Sequence, residues 1–384
     1  MKKLLSLGSV ALACALVAGC GGGDSSYSTL VVFGDSLSDV GTYRTPGIAT
    51  FGGGQYTVNG ATSANWTTLL ARELDLAAPC PAQTGLESSG PLVALAAPIE
   101  NHKACFSYAQ GGARVTEPIG PWNKAVLALP TVPSDLHPTG LLGQLTVPLV
   151  DQVARHLKVS GSKFFGSELV TVMAGANDLF MQLYMLQATA ENQGDTAAAA
   201  TAAVGAMAQA GAQLASYIKN QMVDKGARHV VVVNLPDVGK TPSALAASTQ
   251  TQALITLMAQ TFNDQLTRPL VGAPGVLLVD AFSASQDQAA HPELYGLTNV
   301  TTPACDLNKT AFPSSLVCST PATVVAGDIS HYQFSDTVHP TPYGYRLLAE
   351  LVAAEMTKRG WLESEGQRPC QHSAAGCTLN RHVS

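Results

Sequence analysis

The stretch Leu30-Val31-Val32-Phe33-Gly34-Asp35-Ser36-Leu37-Ser38-Asp39 joins a four-residue apolar run directly to a Gly-Asp-Ser turn. Because the run does not alternate apolar with polar residues, it has the character of a strand buried on both faces, as in a parallel sheet covered by helices. Leu169 to Met173, His229 to Asn234 and Val276 to Val279 repeat that character. Helix-like segments separate and follow them: Trp66 to Leu74, Gly140 to Leu157, an Ala-rich stretch from Thr196 to Asn220, Ser243 to Leu270, and Tyr343 to Lys358. Strand and helix in alternation predict an α/β protein with a parallel central sheet. Thr42 to Asn65 and Ala281 to Ser335, both rich in Gly, Pro, Thr and Asn, fit neither pattern and are predicted to be loop insertions.

The chain has 384 residues, of which 46% are hydrophobic and only 12% charged, which excludes disorder as its main state. With 21 basic against 27 acidic residues the net charge is −6, so no basic excess exists to hold a nucleic-acid backbone. The Ala-rich stretch is long enough to imitate a membrane span, but Gln209, Gln213 and its weakly apolar alanines favour a packed helix.

The N-terminus reads as an export address. Met1-Lys2-Lys3 precedes an apolar run from Leu4 to Val17 that is too short to span a bilayer. Val17-Ala18-Gly19-Cys20 then resembles the lipobox of bacterial lipoproteins, in which the Cys is lipidated and becomes the mature N-terminus. Gly21 to Ser26 would form a flexible tether. Residue 21 is not Asp, so by the sorting rule of that class the expected address is the outer membrane, with a periplasmic or secreted protein as the alternative. Loss of Lys2 and Lys3 with the leader takes the charge from −6 to −8. Beyond Cys20 lie six cysteines, and although six thiols allow 15 pairings, these fall into three sequence-local pairs. The expected bridges are Cys80–Cys105, Cys305–Cys318 and Cys370–Cys377. None has the CxxC spacing of a zinc or redox site.

Four short motifs carry candidate chemistry. Gly34-Asp35-Ser36 follows a strand, and ligands of parallel sheets sit beyond the carboxyl ends of the strands, where Ser36 would stand as a nucleophile. Asp336-Thr337-Val338-His339 puts a carboxylate three residues before a histidine, close enough to hold Nδ1–H and leave Nε2 to take a serine proton. Tyr108-Ala109-Gln110-Gly111-Gly112-Ala113 offers a turn whose backbone can approach a ligand closely. Gly175-Ala176-Asn177-Asp178 directly follows a strand, so Asn177 can aim its amide into the same crevice as a donor for a developing oxyanion. Taken singly, each motif reads more readily as a cap, a turn or a buried structural residue, and they gain weight only together.

In order, Gly34-Asp35-Ser36-Leu37, Gly112, Gly175-Ala176-Asn177-Asp178 and Asp336-x-x-His339 resemble the four blocks of the GDSL or SGNH hydrolase family, over about residues 29–356. The similarity is greatest to bacterial secreted and outer-membrane esterases, including autotransporter esterase passengers and the phospholipase/hemolysin-like branch. With these the chain shares Asn234-Leu235-Pro236-Asp237 and Asn299-Val300-Thr301-Thr302-Pro303-Ala304-Cys305. The resemblance implies a three-layer α/β/α, flavodoxin-like fold with Ser36 as nucleophile, His339 as base and Asp336 as its orienter. It implies an oxyanion hole made by the Ser36 backbone N–H, the Gly112 N–H and the Asn177 side chain. Ser107 stands where the second block usually opens with Asn, and Gly41-Thr42 where the first commonly continues Gly-Asn. The adjacent Gly111 leaves the register of the second block open by one, with Gly112 preferred.

The expected organisation is a leader at 1–19, a tether at 20–28, a hydrolase domain at 29–360 and a C-terminal tail at 361–384. Only 45 residues follow His339, so a self-transporting barrel is not expected, and the lipid on Cys20 would be the anchor. No cofactor or metal is implied, because no His-x3-His or carboxylate cluster of ligand spacing occurs. Gly-x-Ser-x-Gly is absent, which sets the chain apart from nucleophile-elbow hydrolases. The expected activity is hydrolysis of short- to medium-chain acyl or aryl esters, with lysophospholipids also within its reach. A carbohydrate O-acetyl esterase and a noncatalytic surface-binding lipoprotein are the rival readings. The insertions Thr42 to Asn65 and Ala281 to Ser335 are expected to build the acyl pocket.

Overall fold

The computed structural model describes residues 27–61 and 63–363, together with the backbone of two short paired strands at His372–Ser373 and Gly376–Cys377. Cys20, the leader, the tether and the side chains of the Cys370–Cys377 pair lie outside the described residues.

The four apolar runs are the strands of one parallel sheet. They are β1 (Leu30–Gly34), β4 (Leu169–Met173), β5 (His229–Val233) and β6 (Val276–Val279), in the order β1-β4-β5-β6. Residues 106–108 extend the sheet beyond β1 by a single bridge, with the Val32 N–H donating to Phe106 O and the Tyr108 N–H to Val32 O. β2 (Gln83–Leu86) and β3 (Ala97–Asn101) form a separate antiparallel pair. Sequence periodicity misses that pair because it carries Gly85 and Pro98 and no continuous apolar run.

Helices cover both faces. Val31, Phe33, Val170, Val172, Val230 and Val232 pack against α3 (Leu149–Ser160), α5 (Thr196–Tyr217) and α7 (Thr249–Thr267). On the opposite face Val32, Leu169, Met173, Val231, Val233 and Val279 pack against α2 (Trp66–Glu73) and α9 (Pro342–Lys358). Alternate residues of each strand thus enter alternate cores, which is why the runs are apolar throughout. The arrangement is a three-layer α/β/α sandwich.

Some predicted boundaries move. The helix expected from Gly140 begins only at Leu149, after a 3-10 turn at His137–Leu142, a left-handed Gly143 and Pro148. The segment from Ser243 divides into α6 (Pro242–Leu245) and α7, whose start is capped by the Ser248 hydroxyl accepting from Thr251 N–H. Within the insertions lie α1 (Pro46–Ala49) and α8 (Ala281–Ala290), the latter capped by Asp280. α4 (Ala176–Glu191) follows β4 so closely that Asn177 stands in its first turn. The Cys80–Cys105 and Cys305–Cys318 bridges are both formed.

Parallel pairing in register from Leu30↔Leu169 to Gly34↔Met173 brings the carboxyl ends of β1 and β4 level. Gly34 is required there, because a Cβ would meet the Met173 carbonyl oxygen at 2.3 Å. Its backbone is further held by the Gln152 amide, which accepts from Gly34 N–H at 2.9 Å and donates to Gly34 O at 2.8 Å.

Candidate active site

Ser36 emerges two residues past β1, and its Oγ lies 2.9 Å from His339 Nε2. The His339 Nδ1 lies 2.8 Å from Asp336 Oδ2 and 3.0 Å from Oδ1. Asp336 also accepts from the Val338 and His339 backbone N–H groups at 2.9 and 2.8 Å, and from Ser315 N–H at 2.8 Å. Burial alone would raise the Asp336 pKa, but the attraction of His339 and these hydrogen bonds hold it well below the ordinary carboxylate value. An ionised Asp336 fixes the proton on Nδ1 and leaves the Nε2 lone pair facing the Ser36 hydroxyl. Residues separated by three hundred positions in sequence thus form one hydrogen-bonded line, with Ser36 9% and Asp336 3% exposed.

Three N–H groups were expected as oxyanion donors, those of Ser36, Gly112 and the Asn177 side chain. The Ser36 amide and the Gly112 amide have no acceptor among the described residues, whereas the neighbouring Gly111 N–H donates to Asp39 Oδ2 at 2.9 Å. That bond separates the two adjacent glycines: Gly111 is structural and Gly112 is the one left with a free donor. Gly112 has φ +79°, and a Cβ there would sit 2.6 Å from Pro121 O, so only glycine fits the turn. Asn177 is buried and donates one amide N–H to Ala113 O at 2.9 Å, which orients the group and leaves its second N–H.

Buried carboxylates hold the surrounding loops. Asp39 accepts from Gly41, Thr42 and Gly111 N–H, tying the chain after Ser36 to the glycine turn. Asp178 accepts from Arg114 Nε at 3.0 Å and Val115 N–H at 2.9 Å, tying that turn to α4. Motif reading quoted Asp39 and Asp178 without a role and passed over Arg114, since only the fold brings their partners near. Tyr56, expected as an apolar anchor of the pocket wall, instead has its ring 4.8 Å from the His339 ring.

Beside Ser36 opens a mostly apolar cleft of about 110 Å³, bounded by Phe180, Leu235, Ala284, Phe334, Leu348 and Leu351 among others. The expectation that both insertions line it holds for only one. Ala281, Ala284, Val300 and Phe334 come from the second, but none of the described residues of Thr42 to Asn65 contributes to the wall. The first insertion lies behind His339 instead, with Thr57 Oγ1 donating to Pro340 O and Val58 N–H to Ser335 Oγ. Its place in the wall is taken by the loop after β5. There Asp237 accepts from Gly239 N–H, Thr256 Oγ1 and Gln286 Nε2, and Asn234 bonds Asp280 and Phe282 N–H, which fixes α8 over the cleft.

Among the described residues no group of three or more His, Cys, Asp or Glu side chains is placed to hold a metal ion, and no helix is long and apolar enough to cross a membrane.

The sequence model of GDSL-like lipase/acylhydrolases matches residues 30–352. "Esterase EstA" of Pseudomonas aeruginosa is 27% identical over 351 residues, covering 85% of this chain and 46% of that protein. An uncharacterized protein in the trpE-trpG intergenic region of Pseudomonas putida is 27% identical over 355 residues, covering 90% and 50%. The chain therefore spans about half the length of the curated relatives it matches. The crystal structure of LAE5, an alpha/beta hydrolase enzyme from the metagenome of Lake Arreo, aligns over 88% of this chain and 96% of that one, with a TM-score of 0.38 and 14% identity.

Asp35, between β1 and Ser36, contrasts with the other buried acids. Its Oδ1 accepts from Leu37 N–H, but Oδ2 is buried without a partner. Burial pushes its pKa up to about 7, against the smaller opposing effects of the Leu37 bond and the His339 charge. A carboxyl raised in the folded state favours folding most below its unfolded pKa, and that contribution is lost as pH rises through about 7. Asp35→Asn is therefore expected to gain stability relative to wild type as pH climbs from 4 to 8, by on the order of a few kcal/mol. Chemical denaturation of both proteins across that range checks this, and a pH-independent difference would refute it.

Proposed function

Since this chain belongs to the GDSL-like lipase/acylhydrolase family, we propose that it is a serine esterase that hydrolyses carboxylic esters through an acyl-serine intermediate. The observation that carries the proposal is the Asp336–His339–Ser36 line, with heavy-atom distances of 2.8 and 2.9 Å. In this reading His339 Nε2 takes the Ser36 proton as Oγ attacks the ester carbonyl, and the resulting imidazolium is stabilised by ionised Asp336. The carbonyl oxygen becomes an oxyanion that accepts from Ser36 N–H, Gly112 N–H and the second Asn177 N–H. His339 then gives its proton to the leaving alkoxide, the C–O bond breaks, and the acyl group stays on Ser36. Water, deprotonated by His339, attacks the acyl-serine by the same route and releases the acid.

The cleft supports an acyl or aryl group of short to medium length as the part of the substrate it holds, because its wall is mostly apolar. Export and attachment through a lipid on Cys20, with residues 20–28 as tether, complete the proposal. Their support is the Val17-Ala18-Gly19-Cys20 motif after a basic and apolar leader.

Ser36→Ala should abolish hydrolysis of p-nitrophenyl butyrate and labelling by a fluorophosphonate, and Asn177→Ala should lower kcat by roughly 10²- to 10³-fold. Persistent turnover by pure Ser36→Ala protein would remove the nucleophile assignment. Ala284→Trp should fill the cleft, cutting decanoate ester hydrolysis at least about tenfold while acetate esters change little. An unchanged chain-length profile would place the acyl group elsewhere. Mature protein from the membrane fraction should carry the mass of a lipidated Cys20, and Cys20→Ser should lose it. An unmodified N-terminus at another residue would contradict the anchor.

A further inference from the structure

Asp336 takes three of its four donors from its own short segment, as His339 supplies its ring and backbone N–H and Val338 its N–H. The fourth comes from outside. Ser315 N–H, at 2.8 Å from Oδ2, belongs to a fully buried 3-10 turn, Ser315–Val317. Two devices place that turn. Cys318, directly after it, is bridged to Cys305, and the strand-like segment at Cys305 is tied beside Asp336 by Ala304 N–H to Phe334 O and Cys305 N–H to Ser335 O. Both sulfurs belong to buried residues. Asn59, itself 5% exposed, then grips the turn from the first insertion: its side-chain amide donates to Ser315 O at 3.0 Å and Cys318 O at 2.9 Å, and its backbone N–H also donates to Cys318 O.

We propose that Asn59 and the Cys305–Cys318 bridge are positioning elements for the reaction, which hold the Ser315 N–H on Asp336 and through it keep His339 aligned with Ser36. The inference rests on the serine-hydrolase reading. A buried carboxylate deprived of one donor is free to turn toward other partners, and a small misplacement of an aligned group lowers the rate without altering the substrate cleft. Asn59, Cys305, Ser315 and Cys318 do not line the cleft, so KM should be insensitive to loss of Asn59 or of the bridge. The bridge at Cys80–Cys105 is a matched control, since it closes a loop that makes no bond to Asp336.

The full-length protein and three variants, C305S/C318S, C80S/C105S and Asn59→Ala, are compared by two measurements. Endpoint labelling of Ser36 with a fluorophosphonate counts folded, competent sites, and steady-state kinetics with p-nitrophenyl butyrate give kcat and KM per labelled site. Loss of the 305–318 bridge and Asn59→Ala should each leave labelling complete, lower kcat at least about tenfold, and leave KM within about twofold. C80S/C105S should keep kcat within about twofold of wild type. If C305S/C318S does not fold, wild type reduced with dithiothreitol after folding and Asn59→Ala decide the matter by the same criteria. A kcat near wild type without the bridge, or a loss of activity that merely tracks the loss of labelled sites, would overturn the proposal. Failure of the oxidised wild type to label at all would overturn the hydrolase reading beneath it.

Discussion

The structure depends on keeping one carboxylate, Asp336, charged while it is buried. Removing an anion from water costs several kcal/mol unless donors replace its hydration. Here the His339 ring and the backbone N–H groups of Ser315, Val338 and His339 do so, and the balance leaves the carboxyl well below its ordinary pKa. A charged Asp336 is what gives His339 one tautomer and one orientation. Those in turn present Nε2 to the Ser36 hydroxyl, so the hydrogen bond made by a residue at one end of the chain is set by a carboxylate near the other.

The same device recurs on a smaller scale. The segments around the site are not in the sheet ladder, so they lack the regular hydrogen bonds that align strands. Buried acids replace those bonds: Asp39 gathers three backbone N–H groups across two loops, and Asp178 joins Arg114 and Val115 to the first turn of α4. Each acid converts irregular backbone into a fixed frame, at the cost of burying a carboxyl whose pKa burial raises. Asp35 is the exception in having one oxygen unpartnered; burial raises the pKa of all three acids, that of Asp35 to about 7. Its neighbour Ser36 occupies the place where the chain must turn sharply out of β1, and the fold supplies no second donor there.

The two insertions divide the remaining work. The first lies behind His339, where Thr57 and Val58 bond the chain on either side of Asp336 and Asn59 bonds the Ser315 turn. The second starts as α8, forms part of the cleft wall and then returns as the disulfide-closed turn that reaches Asp336. The first insertion therefore braces the site, and the second both shapes what enters it and reaches Asp336. The loop after β5 finishes the wall because Asn234 and Asp237 are bonded to α8 and α7 rather than exposed to solvent.

The sequence by itself determined the four parallel strands, because strands buried on both faces must be apolar at every position and leave an unmistakable run. It also made legible the candidate residues Ser36, Asn177, Asp336 and His339, and Gly112 to within one position, because the four motifs stand in one family's order with their short local spacings. The disulfide pairs Cys80–Cys105 and Cys305–Cys318 were legible from their own local spacing. Partnership at long range was not. That Gly111 is bound by Asp39 while Gly112 stays free, that Arg114 meets Asp178, that Tyr56 lies against His339, and that Ser315 completes the shell of Asp336 were decided only in the tertiary structure. A hydrogen bond from a backbone amide carries no residue signature, and irregular loops have no periodicity to reveal which distant segment they will touch. The fold alone sets those distances.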